Sequence, residues 1–186
     1  MIVLASTSPR RIELMKQLGI DFKSVKPVSD EVLMDTLSPH RQVQQLAFNK
    51  AISIETDDED IVISGDTVVV YKNEILGKPK SKEHALEILG HLNGDTHAVL
   101  TSICVMNQNK TMIKTFESRV TLKNVLISDL EEYIERHQPL DKAGAYGIQD
   151  SYFKENILNS YTGYLNTIIG FPIEEVETVL KEEFDV

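Results

Sequence analysis

The sequence predicts an α/β fold with a mixed β-sheet. Apolar and β-branched runs typical of strands alternate with segments of helical periodicity. Some predicted strands are adjacent along the chain and others are separated by helices, which favours a sheet with both antiparallel and parallel pairs. The 186 residues, 41% of them hydrophobic, suffice for one substantial core. We therefore expect a single domain over residues 1–186, and leave open whether it forms two lobes that share a cleft.

Each predicted element has a local cause. Ser8-Pro9 and Ser38-Pro39 supply a helix cap followed by a first-turn proline, and Gly19 can end the first helix. Ser128 and Glu131 form a predicted capping box for a short helix. Strands are predicted at residues 2–5, 22–26, 97–106, 111–122, 157–161 and 165–169. Helices are predicted at residues 9–18, 39–54 and 81–92, around residue 130, and after Gly170-Phe171-Pro172.

Two β-branched runs, Ile61-Val62-Ile63 and Val68-Val69-Val70, flank the polar centre Ser64-Gly65-Asp66. We interpret them as two strand segments that meet at Asp66. A carboxylate buried there without a partner would cost several kcal/mol, so a positive group should lie beside it. A solvated aspartate in a turn is the simpler alternative. The functional alternative makes Asp66 a metal ligand or the base that activates an attacking water.

Composition narrows the classes of function. The formal net charge of −10 disfavours binding to a nucleic acid polymer, although a few converging cations can still bind a small polyphosphate. No apolar run is long enough to cross a membrane, and the first residues lack the basic start of an export signal. The single cysteine, Cys104, lies in an apolar run and should be buried. We expect a cytoplasmic protein.

The segment Ser6-Thr7-Ser8-Pro9-Arg10-Arg11 outlines an anion site. Free backbone N–H groups at a helix start attract phosphate, and the planar guanidinium group of arginine binds phosphate oxygens in pairs. An ordinary helix cap with solvated arginines explains the same residues equally well.

Lysines supply further candidate cations. Lys50 falls on the apolar stripe of a predicted helix, where its stem either runs along the surface or points into a cleft. Lys78 lies in a loop stiffened by Pro79. Asp30 and Glu31 are a candidate acidic pair for a metal, although such pairs are mostly solvated. The five histidines show no compact metal-ligand spacing, so we expect no zinc site.

Four motifs together closely resemble the Maf family of nucleotide pyrophosphatases, also known as septum formation proteins. They are Ser6 to Arg11, Asp66-Thr67, Gly77-Lys78-Pro79 and the stretch from Asp141 to Gln149, in matching order and spacing. The resemblance implies a fold similar to the inosine triphosphate pyrophosphatases (Ham1-like), an α/β fold whose mixed β-sheet has surrounding helices and a central cleft. It also implies a homodimer and a divalent cation, Mg²⁺ or Mn²⁺. It implies hydrolysis of nucleoside triphosphates to monophosphate and pyrophosphate.

By the same resemblance, Asp66 matches the catalytic aspartate. From the residues themselves, Asp66 is also a candidate metal ligand, and Glu31 of the acidic pair is a candidate second ligand. Lys50 and Lys78 match catalytic cations, and Ser6, Arg10 and Arg11 match substrate-binding positions. Thr67 and Gln149, with Arg10, match positions associated with substrate choice in the subfamily that acts on dTTP and UTP. The amide of Gln149 offers a donor and an acceptor, which suits the imide edge of uracil or thymine.

The chain departs from the family pattern at two places. Ser64-Gly65 stands where the family usually has glycine-alanine, and Asp150-Ser151-Tyr152-Phe153 replaces a turn that usually contains glycine. Two alternatives stay open: a pyrophosphatase for modified or purine nucleotides, and a non-catalytic nucleotide-binding regulator of cell division. A housecleaning role in nucleotide pools, with a link to septation arrest, is the expected biological setting.

Overall fold

The computed structural model describes residues 1–29 and 36–186, in which helices and strands alternate. The strands found there are β1 (Ile2–Ala5), β2 (Phe22–Val25), β3 (Ile61–Tyr71), β4 (Glu74–Leu76), β5 (Thr96–Met106), β6 (Thr111–Leu122) and β7 (Leu158–Thr162). The α-helices are α1 (Pro9–Lys16), α2 (Pro39–Ile52), α3 (Lys82–Leu92), α4 (Ile127–His137), α5 (Leu165–Ile169) and α6 (Ile173–Phe184). A 3₁₀ turn spans Ala143–Ala145 and a π-helical turn spans Phe153–Ile157.

All of these strands belong to one sheet, in the order β2-β1-β3-β5-β6-β7, with β4 paired to β3. Strand β1 runs parallel to both of its neighbours, β2 and β3. The pairs β3–β4 and β6–β7 are antiparallel. The sheet therefore contains both kinds of pairing, and the predicted mixed α/β fold is confirmed.

The chain divides into two compact units, and strands β3, β5 and β6 contribute to both. Unit 1 consists of Met1–Thr67, Thr101–Phe116 and Gly170–Val186. One of its apolar clusters joins helix α2 to strands β1, β3 and β5 through small side chains, which allow a helix to lie close to a sheet. Its members are Ala5, Ala47, Ala51, Val62 and Cys104. Burial raises the pKa of the Cys104 thiol to about 12, which agrees with the predicted buried, unreactive cysteine.

Unit 2 consists of Val68–Leu100 and Glu117–Ile169. Its core has an aromatic centre, because the rings of Tyr146 and Phe153 stack with centroids 4.5 Å apart and an interplanar angle of 4°. Tyr133 packs against Phe153 from helix α4, with centroids 5.4 Å apart. Helix α3 adds Ala85, Ile88, Leu89 and Leu92 to the same core, as its periodicity predicted.

A buried histidine, His97, lies in this core. Its Nε2 is 2.7 Å from the Tyr146 hydroxyl, and its buried Nδ1 has no hydrogen-bond partner in the described part of the chain. Burial lowers the pKa of His97 to about 4, against an opposing effect of the Asp95 charge. The imidazole is therefore neutral in the folded protein near neutral pH.

Three predicted elements were wrong in detail. Strand β3 is continuous through Asp66 instead of two segments, because the polar groups at its centre find partners described below. The run at 165–169 is helix α5, and periodicity cannot separate a strand from a helix over so short an apolar run. Helix α4 begins before Ser128: the Leu126 N–H donates to Asp129 Oδ2 at 3.0 Å, so Asp129 does the capping that we assigned to Glu131.

The other predicted elements agree with the structure to within a few residues at each end. None of the helices in the described ranges combines the length and the apolar character needed to cross a bilayer.

We expect the free energy of unfolding to fall as the pH drops from about 6.5 to about 4. The unfolded chain binds a proton at His97 with a pKa near 6.5, whereas the folded chain does so only near 4. The unfolded state thus carries more protons in this interval, and the loss approaches about 3 kcal/mol at the acid end. Urea titrations of wild type and His97→Gln at several pH values measure it. A His97→Gln variant with the same pH slope as wild type would contradict the assignment to His97.

Candidate active site

The centre of the candidate site is an ion pair between Lys50 and Asp66. Lys50 Nζ lies 2.7 Å from Asp66 Oδ1, and the two residues are only 7% and 8% exposed. Asp66 comes from the middle of strand β3 and Lys50 from the last turn of helix α2. The positive partner that we predicted beside Asp66 is therefore Lys50, and the lysine points inward instead of along the surface.

Ser64 holds the helix that delivers Lys50. Its fully buried hydroxyl donates to the Ala47 carbonyl at 2.6 Å, and Ala47 precedes Lys50 by almost one helical turn. Side chains two residues apart on a strand point to the same face, so Ser64 and Asp66 both face helix α2. The serine that departs from the family pattern thus anchors the helix close to the ion pair.

The segment after β1 supplies the predicted anion-binding residues. Ser6 is buried, and its Oγ accepts from the Ser8 N–H at 3.2 Å, while its carbonyl accepts from the Ser24 hydroxyl at 2.6 Å. Ser8 is the cap residue of α1 but forms no side-chain capping bond, and Pro9 begins the helix. The first turn of α1 contains no acidic residue, so nothing on the helix competes there with an incoming anion.

Arg11 and Thr67 meet at one carbonyl oxygen, that of Gly170. Arg11 Nε donates to it at 2.9 Å, and Thr67 Oγ1 lies 3.4 Å from it. Thr67 Oγ1 also lies 2.9 Å from the Thr101 hydroxyl on strand β5. Gly170 has φ +109°, and a Cβ there would lie 3.0 Å from Thr67 Oγ1. This position therefore requires glycine, and its carbonyl fixes the guanidinium group of Arg11 beside Thr67.

Gly65, immediately before Asp66, is tightly enclosed. A Cβ at this position would lie 3.2 Å from the Ser102 carbonyl oxygen and 3.3 Å from the Phe171 ring. Phe171 is fully buried in unit 1, next to Gly170. The absence of a side chain at Gly65 thus lets the segment before helix α6 approach the strand that carries Asp66.

Unit 1 therefore contains six of the predicted site residues, namely Ser6, Arg10, Arg11, Lys50, Asp66 and Thr67. Among them, the structure joins Lys50 directly to Asp66, and Arg11 to Thr67 through Gly170. Arg10 is half-buried in the first turn of α1.

Unit 2 contains the other two described candidates, Lys78 and Gln149, whose side chains are both exposed. Their two loops touch, because the Gly144 N–H donates to the Gly77 carbonyl at 3.3 Å. Gly144 has φ +71°, and a Cβ there would lie 2.8 Å from Val69. The two motifs that seemed separate in the sequence are thus neighbours in unit 2.

Glu31, the candidate second metal ligand, and Asp30 lie outside the described residues. Within the described ranges, no three His, Cys, Asp or Glu side chains converge on a point where they would hold a metal ion. Mg²⁺ commonly uses one or two carboxylates, with waters and substrate phosphates as its other ligands. Asp66, whose carboxylate contacts Lys50 through Oδ1, fits that mode of binding, in which the ion and the triphosphate bind together.

Sequence reasoning missed the supporting residues. Ser64 was noted only as a change of small residue, and Thr101 was part of an apolar-looking strand. Their hydrogen bonds, to Ala47 and to Thr67, depend on which elements are neighbours in the fold. The sequence signal that existed was a hydroxyl on an otherwise apolar strand, where it needs a buried partner.

We expect Lys50→Met to lower the free energy of unfolding by about 3–5 kcal/mol, because it leaves the Asp66 carboxylate buried without its partner. The double variant Lys50→Met with Asp66→Asn should cost less than Lys50→Met alone, since both charges are then gone. Chemical denaturation of wild type, Lys50→Met, Asp66→Asn and the double variant measures this coupling.

The matched control is the exposed pair Lys82 and Glu135, whose Nζ–Oε1 distance is also 2.7 Å. Its side chains are 43% and 66% exposed, so Lys82→Met should cost less than about 1 kcal/mol. Equal costs for the two lysine variants would show that the burial of Lys50 has no energetic consequence.

Known proteins resemble this chain over nearly its whole length. The family model of the Maf-like proteins matches residues 1–183. The dTTP/UTP pyrophosphatase of Clostridioides difficile (strain 630) is 37% identical over 100% of this chain and 96% of its own. That of Aquifex aeolicus (strain VF5) is 36% identical over 97% and 94%. Among solved structures, a HAM1 protein from Coxiella burnetii aligns with a TM-score of 0.49 and 16% identity, over 97% of this chain and 98% of its own. By the family match and the two full-length pyrophosphatase relatives, the chain belongs to the Maf-like protein family.

Proposed function

We propose that this protein is a pyrophosphatase that hydrolyses nucleoside triphosphates, dTTP and UTP foremost, to the monophosphate and pyrophosphate. The observation that carries the proposal is the buried Lys50–Asp66 pair on strand β3, in a unit that also holds Ser6, Arg10 and Arg11. The full-length relatives named dTTP/UTP pyrophosphatase support the substrate class.

In the proposed reaction, the oxygen of a water molecule forms a bond to the α-phosphorus. The bond from that phosphorus to the oxygen bridging the α- and β-phosphates breaks, pyrophosphate leaves, and the water loses a proton. Asp66 orients this water and accepts its proton, while the ammonium group of Lys50 holds the carboxylate in place. A divalent cation bound with the substrate would neutralise charge on the phosphate oxygens and make the α-phosphorus more electrophilic.

The guanidinium groups supply binding and orientation. Arg11 is held by the Gly170 carbonyl through Nε. We assign its planar guanidinium group to the binding of phosphate oxygens. Arg10 and Lys78 would add charge along the triphosphate, and Ser6 would help to shape the anion site. These groups act mainly by positioning and electrostatic stabilisation, as in other phosphoryl transfers.

Thr67 and Gln149 are the proposed determinants of substrate choice, together with Arg10. Thr67 is fixed by the Thr101 hydroxyl, whereas Gln149 is exposed in its loop and can meet a base edge. A site for purine or modified nucleotides is the alternative enzyme function, and the nucleotide panel described below distinguishes the two.

We expect the protein to act in the cytoplasm as a homodimer and to cleanse nucleotide pools, with a link to septation arrest that is either direct or indirect. The buried, reduced Cys104 agrees with a reducing compartment. Light scattering after size exclusion tests the dimer.

Replacement of Asp66 by asparagine should lower kcat for dTTP by about 10²-fold or more, because the amide cannot accept the proton of the attacking water. Pyrophosphate release is measured over a panel of dTTP, UTP, dCTP, dGTP and methylated guanine nucleotides, with the products identified. The matched control is Asp58→Asn, an exposed aspartate outside the strands and helices, which should leave turnover unchanged.

Normal turnover by a folded Asp66→Asn protein would overturn the catalytic assignment. Tight nucleotide binding without release of any product by the wild type would instead favour the non-catalytic regulator. Faster turnover of purine or methylated nucleotides than of dTTP and UTP would favour the alternative enzyme function.

Removal of divalent cations should abolish turnover, and Mg²⁺ or Mn²⁺ should restore it, because the Asp66 carboxylate adds negative charge beside three linked phosphates and a bound cation would neutralise it. Dialysis against a chelator, followed by titration of each ion, measures this dependence. Full activity in excess chelator would show that the cations of the protein suffice without a metal.

A further inference from the structure

The segment that carries Gln149 is a tight turn in unit 2. The Asp150 N–H donates to the Gly147 carbonyl at 3.0 Å, which closes a four-residue turn with Ile148 and Gln149 at its centre. Ile148 is buried in the core of the unit, whereas Gln149 is exposed. The turn therefore presents the glutamine amide outward from a fixed apolar base.

The hydroxyl of Tyr133, on helix α4, bridges the two ends of this turn. It accepts from the Gly147 N–H at 2.9 Å and donates to Asp150 Oδ2 at 2.7 Å. Burial and, next, the Asp150 carboxylate raise the pKa of Tyr133, so the hydroxyl stays protonated and acts as a donor. The bridge runs from a backbone N–H through a side-chain hydroxyl to a carboxylate, and it spans the turn that holds Gln149.

The bridge is closely fitted at both ends. A Cβ on Gly147 would lie 2.8 Å from Asp150 Oδ2, so the carboxylate occupies the space that a side chain would need. Asp150 also anchors the following segment, because its carbonyl accepts from the Lys154 N–H at 3.0 Å. The position of the carboxylate is thus set by its own backbone as well as by Tyr133.

The rings around the bridge leave it little freedom. Tyr133 is fully buried between His137, with ring centroids 5.2 Å apart, and Phe153. Tyr146, immediately before Gly147, stacks on Phe153 and meets His97 through its hydroxyl. Both flanks of the turn are therefore anchored in the core of unit 2.

We propose that Tyr133 and Asp150 are positioning residues for base selection, which hold the Gln149 turn in the geometry that discriminates among nucleotide bases. The inference rests on the proposed function and deepens it. It also explains why Asp150 can stand where the family usually has a turn that contains glycine. Aspartate makes the backbone less flexible than glycine would, and its carboxylate accepts a hydrogen bond from the buried Tyr133.

The effect expected from a positioning residue differs from that of a stability residue. A base is read by hydrogen bonds whose strength depends on distance and angle, so a looser turn weakens the bonds to the preferred base more than those to the others. A general loss of stability instead lowers kcat/KM for all nucleotides by the same factor, through the folded fraction. The ratio of kcat/KM for dTTP to that for dGTP separates the two effects.

The test is Tyr133→Phe, which keeps the ring and removes both hydrogen bonds of the hydroxyl. We expect the dTTP-to-dGTP ratio of kcat/KM to fall by roughly fivefold to tenfold, the effect of one or two hydrogen bonds. Asp150→Ala should lower the ratio similarly. Asp150→Asn keeps an acceptor for the tyrosine and should restore most of the ratio.

The control is Tyr152→Phe, two residues beyond Asp150, whose hydroxyl donates to Glu132 Oε2 at 3.1 Å on the exposed surface. It should leave the ratio unchanged. Thermal unfolding verifies that each variant is folded. If Tyr133→Phe does not fold, the dTTP-to-dGTP ratio of Asp150→Ala tests the positioning role instead.

Unchanged ratios in folded Tyr133→Phe and Asp150→Ala, with a wild type that prefers dTTP, would overturn this inference and leave the proposed function standing. A wild type that hydrolyses no nucleotide would overturn both. A ratio that falls equally in Tyr152→Phe would show that the whole segment, and not the tyrosine bridge, sets the preference.

Discussion

The interaction on which the candidate site depends is the buried ion pair between Lys50 and Asp66. Two charges withdrawn from water repay their desolvation only when each is the partner of the other and the geometry is held. The structure meets this condition through the backbone around the pair. Strand β3 presents Asp66 toward helix α2, and the Ser64 hydroxyl ties that helix to the same strand near Lys50.

A second constraint comes from the segment that enters helix α6. The Gly170 carbonyl gathers Arg11 and Thr67, and the Phe171 ring packs against Gly65, next to Asp66. One short stretch of chain, Gly170-Phe171, thus holds Arg11, Thr67 and strand β3 in place, although it is far from all three in the sequence. The candidate anion-binding residues of unit 1 are accordingly held in part by Gly170 and Phe171.

Much of the fold followed from local rules, because serine-proline starts, helical stripes and β-branched runs each constrain a few neighbouring residues. Asp66 was recognisable from the sequence because a carboxylate among apolar strands needs a positive partner, and Lys50 because a charge on an apolar helical stripe needs a reason. The continuity of β3 was not recognisable, since it depends on the bond from Ser64 to Ala47. The Tyr133 bridge was not recognisable from the sequence either, because helix α4 and the Gln149 turn become neighbours only when unit 2 folds.

The enclosure of Gly65 has an evolutionary consequence. An alanine before the catalytic aspartate, which the family pattern usually shows, would push its methyl group against the Phe171 ring and the Ser102 carbonyl in this chain. The two positions are therefore coupled in this chain, because an alanine at position 65 would require the aromatic ring to move by a few tenths of an ångström. Any change from glycine at position 65 would thus act on the Phe171 ring and the Ser102 carbonyl first, so the packing of these two residues limits which side chains can precede Asp66 in this lineage.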